Sequence, residues 1–238
     1  MSSDHGEVRT LLDVLTTKVA NCREGLKAQH VGNALYGLQG MSTEYDEVQL
    51  VFSALKIQLT HCFDKSITDH SDFDVVDLLR STVLFRHHIV TILGSESLCS
   101  EYHRKLDDEF ISRRQRGDSF FTTSAFQSSY EKKVYNRVVA LASELQITDL
   151  RHNVYLLNCF ECDITFTVCD DEGTSVVVNI RVDGIFHEKK RKQSFCRLRD
   201  KELMSRGIHV VRITTNDAVE IDAILRKTVD QVREGREG

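Results

Sequence analysis

Apolar residues in the first half of the chain recur with the spacing of one helix face, and the whole pattern repeats after 40 residues. The first stripe is Val8, Leu11, Leu12, Leu15 and Val19, and the second is Val48, Val51, Phe52, Leu55 and Leu59. Separations of i, i+3, i+4, i+7 and i+11 place each set on one side of an α-helix. Cys22 and Cys62, like His30 and His70, follow the same period. The pattern predicts two copies of one structural unit.

A second helix is predicted in each unit. Its apolar positions are Ala28, Val31, Leu35 and Leu38 in the first unit and Val75, Val76, Leu78 and Leu79 in the second. Two helices per period of about 40 residues are typical of an α-solenoid built from helical hairpins. About three units are usually needed for stability, and Val83 to Leu93 is interpreted as the remnant of a third. We expect a helical-repeat domain over residues 1–112, with a last helix near 100–112. Either the following domain caps the stack or upstream repeats are missing.

The second half changes to a pattern of helix and strand. The charged stretch 113–119 contains a glycine and marks the boundary, with a linker over residues 113–124. Ser128 followed by Glu131 is a capping box. It opens a helix whose apolar stripe is Tyr130, Val134, Val138, Leu141 and Leu145.

Strands are predicted at 153–157, 160–168 and 174–182, with a hairpin turn at 170–173. A basic helix, a strand at 209–213 and a final helix near 217–233 complete the order α-β-β-β-α-β-α. The predicted class is therefore α+β, with an N-terminal α-solenoid followed by a small α/β domain over residues 125–238.

Composition narrows the class of protein. The chain has 238 residues, is 41% hydrophobic and contains no proline, which favours continuous helices and paired strands. It has no apolar run long enough to span a bilayer and no visible signal or transit segment.

Seven cysteines favour reduced thiols in an intracellular compartment. Cys159, Cys162 and Cys169 allow a zinc interpretation, but a tetrahedral site needs a fourth ligand, and we expect buried thiols instead.

Charge is distributed unevenly along the chain. The net charge is −5, yet residues 181–212 contain ten cations against four carboxylates. The cations are Arg181, Lys189, Lys190, Arg191, Lys192, Arg197, Arg199, Lys201, Arg206 and Arg212, and the carboxylates are Asp183, Glu188, Asp200 and Glu202. A basic segment on an acidic protein indicates a localised phosphate-binding surface. The alternatives are a solvated helix face and a chance run, similar to a nuclear-localisation signal, at Lys189-Lys-Arg-Lys192. Asp200 is interpreted as an ion-pair partner of Arg197 or Arg199 and not as a ligand.

The C-terminal block Ile180-Arg-Val-Asp-Gly-Ile-Phe-His187, followed by the basic helix, Gly207 and Val210-Val-Arg-Ile213, resembles the RAP domain. RAP domains occur at the C-terminus of organellar RNA-processing proteins and are related to nucleases of the PD-(D/E)xK fold. The segment Asn33-Ala-Leu-Tyr-Gly-Leu-Gln-Gly-Met41 is similar to the octotricopeptide-like repeats that precede them, although it lacks the proline-rich signature of the best-defined units. The nuclease-fold resemblance covers roughly residues 124–225.

The resemblance implies a set of site residues. In active members, acidic side chains from the first helix and two neighbouring strands hold a divalent metal. Asp163 matches the strand aspartate of the family, Asp183 and Gly184 match its Asp-Gly, and His187 matches its histidine. Arg181 stands where the subfamily has a glutamate, and Asn153 replaces another. Because a fixed positive charge repels Mg²⁺ but suits a phosphate, Asp163 and Asp183 are interpreted as vestigial, with no metal bound.

The preferred interpretation is an RNA-binding protein that acts in organellar RNA processing or stability without being an enzyme. The expected partners are single-stranded RNA and organellar ribonucleoprotein components, with no membrane and no cofactor. The organelle implied is the mitochondrion, with the chloroplast as the alternative. The expected nucleic-acid-binding residues are Arg181, His187, Lys189, Lys190, Arg191, Lys192, Arg197 and Arg199. Two alternatives stay open: a Mg²⁺-dependent endonuclease that uses Asp163 and Asp183, and a helical-repeat scaffold for protein interactions.

Overall fold

A computed structural model describes residues 3–23, 25–68, 72–117, 126–183, 190–217 and 220–235 of the protein. The chain divides into two compact units, Met1–Thr122 and Thr123–Gly238. The first is helical over its described residues, and the second contains a four-stranded sheet, so the chain belongs to the mixed α+β class. No helix in these described ranges is long and apolar enough to span a membrane.

The helices of the first unit pack in two rows. They are α1 (Gly6–Ala20), α2 (Ala28–Gly37), α3 (Asp46–Thr68), α4 (Asp72–Leu84), α5 (Arg86–Leu93) and α6 (Glu96–Arg116). The odd-numbered helices contact one another in order, α1 on α3 and α3 on α5, and the even-numbered helices do the same. The four helices predicted for the two repeat units are therefore present. All five stripe positions of α3 are buried.

The 40-residue period holds for the first helix of each unit but not for the second. Helix α1 begins at Gly6 and α3 at Asp46. The buried positions Val31 and Leu35 of α2 instead correspond in spacing to Val75 and Leu79 of α4, which lie 44 residues later (75 − 31 and 79 − 35). The period lengthens because α3 has 23 residues and α1 has 15. The predicted correspondence of His30 with His70 lies outside the described residues.

The structure gives the helix bounds at the end of the first unit. The segment from Val83 to Leu93, interpreted as the remnant of a third unit, is divided between α4, which ends at Leu84, and α5, which begins at Arg86. The predicted linker over residues 113–124 overlaps α6, which continues through residues 113–116. Arg113 is buried there, where its Nε donates to Glu109 Oε1 at 2.7 Å and its Nη2 to the Ser66 carbonyl oxygen at 3.2 Å.

The second unit has the predicted element order. It consists of α7 (Ser129–Leu141), β1 (Thr148–Leu156), β2 (Phe160–Cys169), β3 (Ser175–Asp183), α8 (Lys190–Ser205), β4 (His209–Thr214) and α9 (Ile221–Arg233). Strands β1, β2 and β3 are antiparallel neighbours, and β4 joins the free edge of β3 in parallel. A parallel neighbour requires a crossover, and the chain between β3 and β4 contains α8.

The ends of these elements follow from local chemistry. The Ser128 hydroxyl accepts the Glu131 backbone N–H at 3.0 Å, which confirms the predicted helix cap. The β2–β3 turn is closed by the Asp170 carboxylate, which accepts the backbone N–H groups of Glu172 and Thr174. Gly173 completes that turn with a φ of +82°, a value that glycine adopts without strain.

The two faces of the sheet have different characters. One face packs against α7 and α9 through a core that includes Val134, Ile164, Ile180, Ile213 and Val229. Since neighbouring residues of a strand point to opposite faces, the residues that alternate with this core lie on the other face. Those residues of β3 and β4 are mostly polar, and helix α8 contacts them.

Candidate functional site

Four charged side chains on the polar face form one connected network, which we call the acid–arginine cluster: Arg181, Asp183, Asp200 and Arg212. Strand β3 supplies Arg181 and Asp183, β4 supplies Arg212, and α8 supplies Asp200. The parallel register makes Arg181 and Arg212 direct Cα partners, so two cations lie side by side. Their repulsion has to be offset by carboxylates, and the cluster provides two.

Asp200 connects the two arginines. Its Oδ1 lies 3.4 Å from Arg181 Nη1, and its Oδ2 accepts from Arg212 Nε at 3.0 Å and also from Arg212 Nη2. Asp183 is held from the same side, with Oδ2 accepting from Arg212 Nη1 at 3.2 Å and Oδ1 lying 3.8 Å from Arg181 Nη2. Both oxygens of each carboxylate therefore face a guanidinium group.

Arg181 is the deepest member of the cluster. It is 6% exposed, and its Nη2 also lies 3.5 Å from Cys196 Sγ. Burial by itself lowers the pKa of Arg181, but Cys196, Asp200 and Asp183 outweigh it and raise the pKa on balance. Arg181 is thus a fixed cation whose donors are directed at groups of its own chain.

Asp163 and Glu131 form a second acidic pair close to the cluster. Asp163 lies on β2, next to β3, and its Oδ2 accepts the Val182 backbone N–H at 2.7 Å. Glu131, in the first turn of α7, is buried. Its Oε2 accepts the Gln127 N–H at 2.8 Å, and its Oε1 has no hydrogen-bond partner among the described residues. Burial raises the pKa of Glu131, and the nearby charge of Asp163 raises it further.

These acids do not form a metal site that includes Asp183. Magnesium needs oxygen ligands that can turn toward it, whereas the carboxylate of Asp183 faces two guanidinium groups. Two positive unit charges 4 Å apart repel each other by about 4 kcal/mol at an effective dielectric of 20. The repulsion between a guanidinium group and a divalent ion is larger. Within the described part of the chain, no three histidine, cysteine or acidic residues are grouped as a metal site would require. The carboxylate of Asp183 is therefore not available to hold Mg²⁺ in the arrangement that the described residues adopt.

Arg199 has donor groups that are not used. Its Nη1 donates to the Glu161 carbonyl oxygen at 3.3 Å, and its Nε lies 3.5 Å from Asp200 Oδ1. Among the described residues, Nε and Nη2 nevertheless have no hydrogen-bond partner, and both atoms are buried. Buried N–H groups of a cation are costly to leave unsatisfied, so Arg199 adds positive charge to this face at a cost in stability.

The structure places the predicted site residues as follows. Asp163 and Asp183 lie on neighbouring strands, as predicted, and Asp200 pairs with Arg199, as predicted, and with Arg181 and Arg212 in addition. Arg197 is exposed on α8. His187 and Lys189 lie outside the described residues, as do the side chains of Lys190, Arg191 and Lys192, whose backbone forms the first turn of α8. Asn153 lies on β1 with a left-handed φ of +49°.

Two functional candidates were missed in the sequence. Glu131 was identified only as a cap, although the family pattern of an acid in the first helix was a signal that could have identified it. Arg212 was counted among the cations but given no partner, because its contacts depend on the parallel pairing of β3 with β4. Of the cysteines proposed for zinc, Cys159 and Cys162 are buried and Cys169 is exposed. Burial raises the pKa of Cys162 to about 12.

Comparisons with known proteins identify no relative. No family model matches the chain, and neither a curated protein nor a solved structure matches it.

Proposed function

We propose that the protein binds single-stranded RNA through the polar face of its second unit and does not cleave it. The observation that carries this proposal is the capture of Asp183 by Arg181 and Arg212. A carboxylate that would hold a metal in a nuclease is neutralised here by two arginines. Arg199 adds a third cation to those of the cluster and so balances Asp183, Asp200 and Asp163, and the surplus of positive charge lies in the α8 segment that begins at Lys190.

In this proposal the cluster supports the surface, and other groups contact the RNA. Arg199 supplies a fixed positive charge beneath the surface, and Lys190, Arg191 and Lys192 supply charge at the N-terminal end of α8, where the helix dipole is also positive. We further propose that the helices of the first unit form a short α-solenoid of octotricopeptide-like repeats preceding a RAP-like domain. The protein would then act in the processing or stability of organellar transcripts, in the mitochondrion in preference to the chloroplast.

The test is a titration of single-stranded RNA with the purified protein at several salt concentrations. We expect affinity to fall as salt rises, because each cation–phosphate contact on a single strand displaces about 0.7 of a counterion. Replacing Lys190, Arg191 and Lys192 with glutamine should weaken binding by at least roughly tenfold and reduce the salt dependence.

A matched control removes the same charge elsewhere. Lys132, Lys133 and Lys227 are exposed on α7 and α9, which pack against the opposite face of the sheet. Their replacement with glutamine should change affinity much less. Equal losses in both triple variants would mean that net charge, and no particular surface, governs binding. Absence of binding at low salt would contradict the proposal and favour the protein-interaction scaffold.

A metal-dependent endonuclease is the second candidate, and one observation favours it. Glu131 on α7, the first helix of the second unit, and Asp163 on β2 are close enough for the charge of Asp163 to raise the pKa of Glu131. The same titration, repeated with Mg²⁺ or Mn²⁺, should leave the RNA intact. Cleavage that requires metal and is abolished by Asp163→Asn, Asp183→Ala or Glu131→Gln would replace the binding proposal with the nuclease.

A further inference from the structure

Helix α1 has an apolar face that its own fold leaves exposed. Leu11 is 48% exposed and Leu15 40%, whereas Val51 and Leu55, which occupy the same repeat positions in α3, are 5% and 2% exposed. Helix α3 packs against α1 on one side and α5 on another, while α1 packs mainly on α3. A surface with the composition of a helix-packing face therefore has no covering helix within the described residues.

The orientation of α1 is fixed by contacts on its inner side. The Arg9 guanidinium lies 4.9 Å from the centre of the Tyr45 ring, and its Nε lies 3.7 Å from Glu47 Oε1. Leu12, three residues further on, is buried. These contacts hold the 9–12 side of the helix inward, so the opposite side is presented outward.

The outward side carries a stripe that is complementary to itself. We call it the α1 stripe: Glu7, Leu11, Val14 and Lys18, which are all exposed and separated as i, i+4, i+7 and i+11. This spacing places the four on one helix face, with two apolar residues between an acid and a base. If two copies of α1 meet antiparallel about a two-fold axis between positions 12 and 13, Glu7 faces Lys18 of the other copy and Leu11 faces Val14.

We infer that the protein forms a symmetric homodimer through antiparallel packing of the α1 stripe on a second copy of itself. A two-fold interface requires a self-complementary surface, which the order acid, apolar, apolar, base provides. A parallel arrangement would instead place Glu7 against Glu7 and Lys18 against Lys18. This interaction surface belongs to the first unit, whereas the RNA-binding face proposed above belongs to the second. Because one helix pair buries little area, the dimer dissociates in the micromolar range.

The test follows the dimer by sedimentation velocity of the full chain across micromolar concentrations. The parent protein should convert from monomer to dimer as concentration rises. Leu11→Glu, which sets a charge against the apolar partner, should weaken dimerisation by more than roughly tenfold. Val139→Glu, at a position of α7 that is 50% exposed, is the matched control and should leave dimerisation unchanged.

A charge exchange separates this arrangement from other contacts. Glu7→Lys should weaken dimerisation by roughly three- to tenfold, because symmetry turns two attractive pairs into two repulsive ones. Adding Lys18→Glu to the same chain should restore the parent affinity. Far-UV circular dichroism that matches the parent establishes that each variant is folded. A parent that stays monomeric, a dimer insensitive to Leu11→Glu, or a double variant no better than the single one would each overturn the inference.

Discussion

Asp200 holds together a part of the molecule where unpaired charge would be costly. Its carboxylate lies between Arg181 and Arg212, which the strand register places side by side. A buried ion pair contributes little net stability when complete, because both ions lose their hydration. Removing one partner is expensive, however, since the other charge stays buried without compensation. The cluster thus depends on being complete.

We expect Asp200→Asn to lower the free energy of unfolding by about 3 kcal/mol. The substitution preserves shape but leaves Arg181 with Asp183 as its remaining carboxylate in the cluster. Urea denaturation followed by circular dichroism measures the change. Glu202→Gln on the same helix is the control: its Oε1 pairs with the exposed side chain of Arg206 at 3.1 Å. That variant should stay within about 0.5 kcal/mol of the parent. If both variants lowered the free energy of unfolding equally, removing a carboxylate from the cluster would cost no more than removing one from the surface, and this expectation would be wrong.

The strand positions of the residues in this site could be predicted from the sequence, whereas the contacts between their side chains could not. Asp163 and Asp183 could be assigned to neighbouring strands because alternation and the hairpin turn identify β2 and β3. The role of Arg181 could not be derived in the same way, since its partner Asp200 comes from α8 and its neighbour Arg212 from β4. Only the three-dimensional pairing brings these groups together, and it directs the donors of Arg181 inward.

Helix α7 combines a cap with a buried acid. Ser128 and Glu131 were recognisable as a capping box because both side chains satisfy free backbone N–H groups at a helix start. The structure adds that Glu131 is buried and that its Oε1 has no hydrogen-bond partner in the part of the chain that is described. Glu131 therefore satisfies a backbone N–H at the start of the helix, but its own carboxylate is buried, which disfavours the charged form.

Stability should depend on pH through Glu131. Because its pKa is raised in the folded state, the folded protein binds this proton more tightly than the unfolded chain does. The resulting contribution of Glu131 to the free energy of unfolding is complete below the ordinary glutamate pKa of about 4.3. It is lost as pH rises through the higher folded-state pKa. Glu131→Gln has no proton to lose, so we expect it to gain stability relative to the parent across this pH window.

Urea denaturation at a series of pH values measures the difference between the two proteins. Glu172→Gln, at an exposed position of the β2–β3 turn, is the control and should show the same pH dependence as the parent. A difference between parent and Glu131→Gln that does not vary with pH would contradict this account. A destabilisation of the variant that grows with rising pH would do the same.

Elements were predictable where their signals are local. Helices α1, α3 and α7 were predicted from the spacing of apolar residues within each helix. The turn between β2 and β3 was predicted from the residues of the turn itself. The start of β1 was missed, because the pairing with β2 is irregular between Thr148 and Arg151 and Asp149 has a left-handed φ of +48°. The end of α6 was missed because an arginine in a charged stretch is typical of a surface position, and the contact of Arg113 with Ser66 depends on the packing of two distant helices.

At the scale of the whole molecule, each unit has its own hydrophobic interior. In the first unit it includes Phe63, Leu79 and Leu106, and in the second Val138, Phe166 and Leu225. Independent cores are the physical requirement for independent folding. The division at Thr122 and Thr123 therefore predicts that either unit can be produced separately.

We expect a fragment of residues 123–238 to unfold in a single cooperative thermal transition, because its core is formed by its own elements. Differential scanning calorimetry tests this directly. A fragment that starts at Val134 and so lacks the cap and first turn of α7 is the control, and it should melt at a lower temperature. A broad transition in the longer fragment, without a heat-absorption peak, would mean that the second unit needs the first.

The parallel pairing of β4 has a consequence for the order of assembly during synthesis. Strands β1, β2 and β3 are joined by tight turns, so this meander can close as soon as it leaves the ribosome. The acid–arginine cluster cannot exist at that moment, because Asp200 and Arg212 belong to segments that have not yet left the ribosome. Long-range closure is slow compared with hairpin formation. Until it occurs, the nascent chain displays an unpaired β3 edge together with Arg181 and Asp183, the kind of edge to which molecular chaperones and other strands attach.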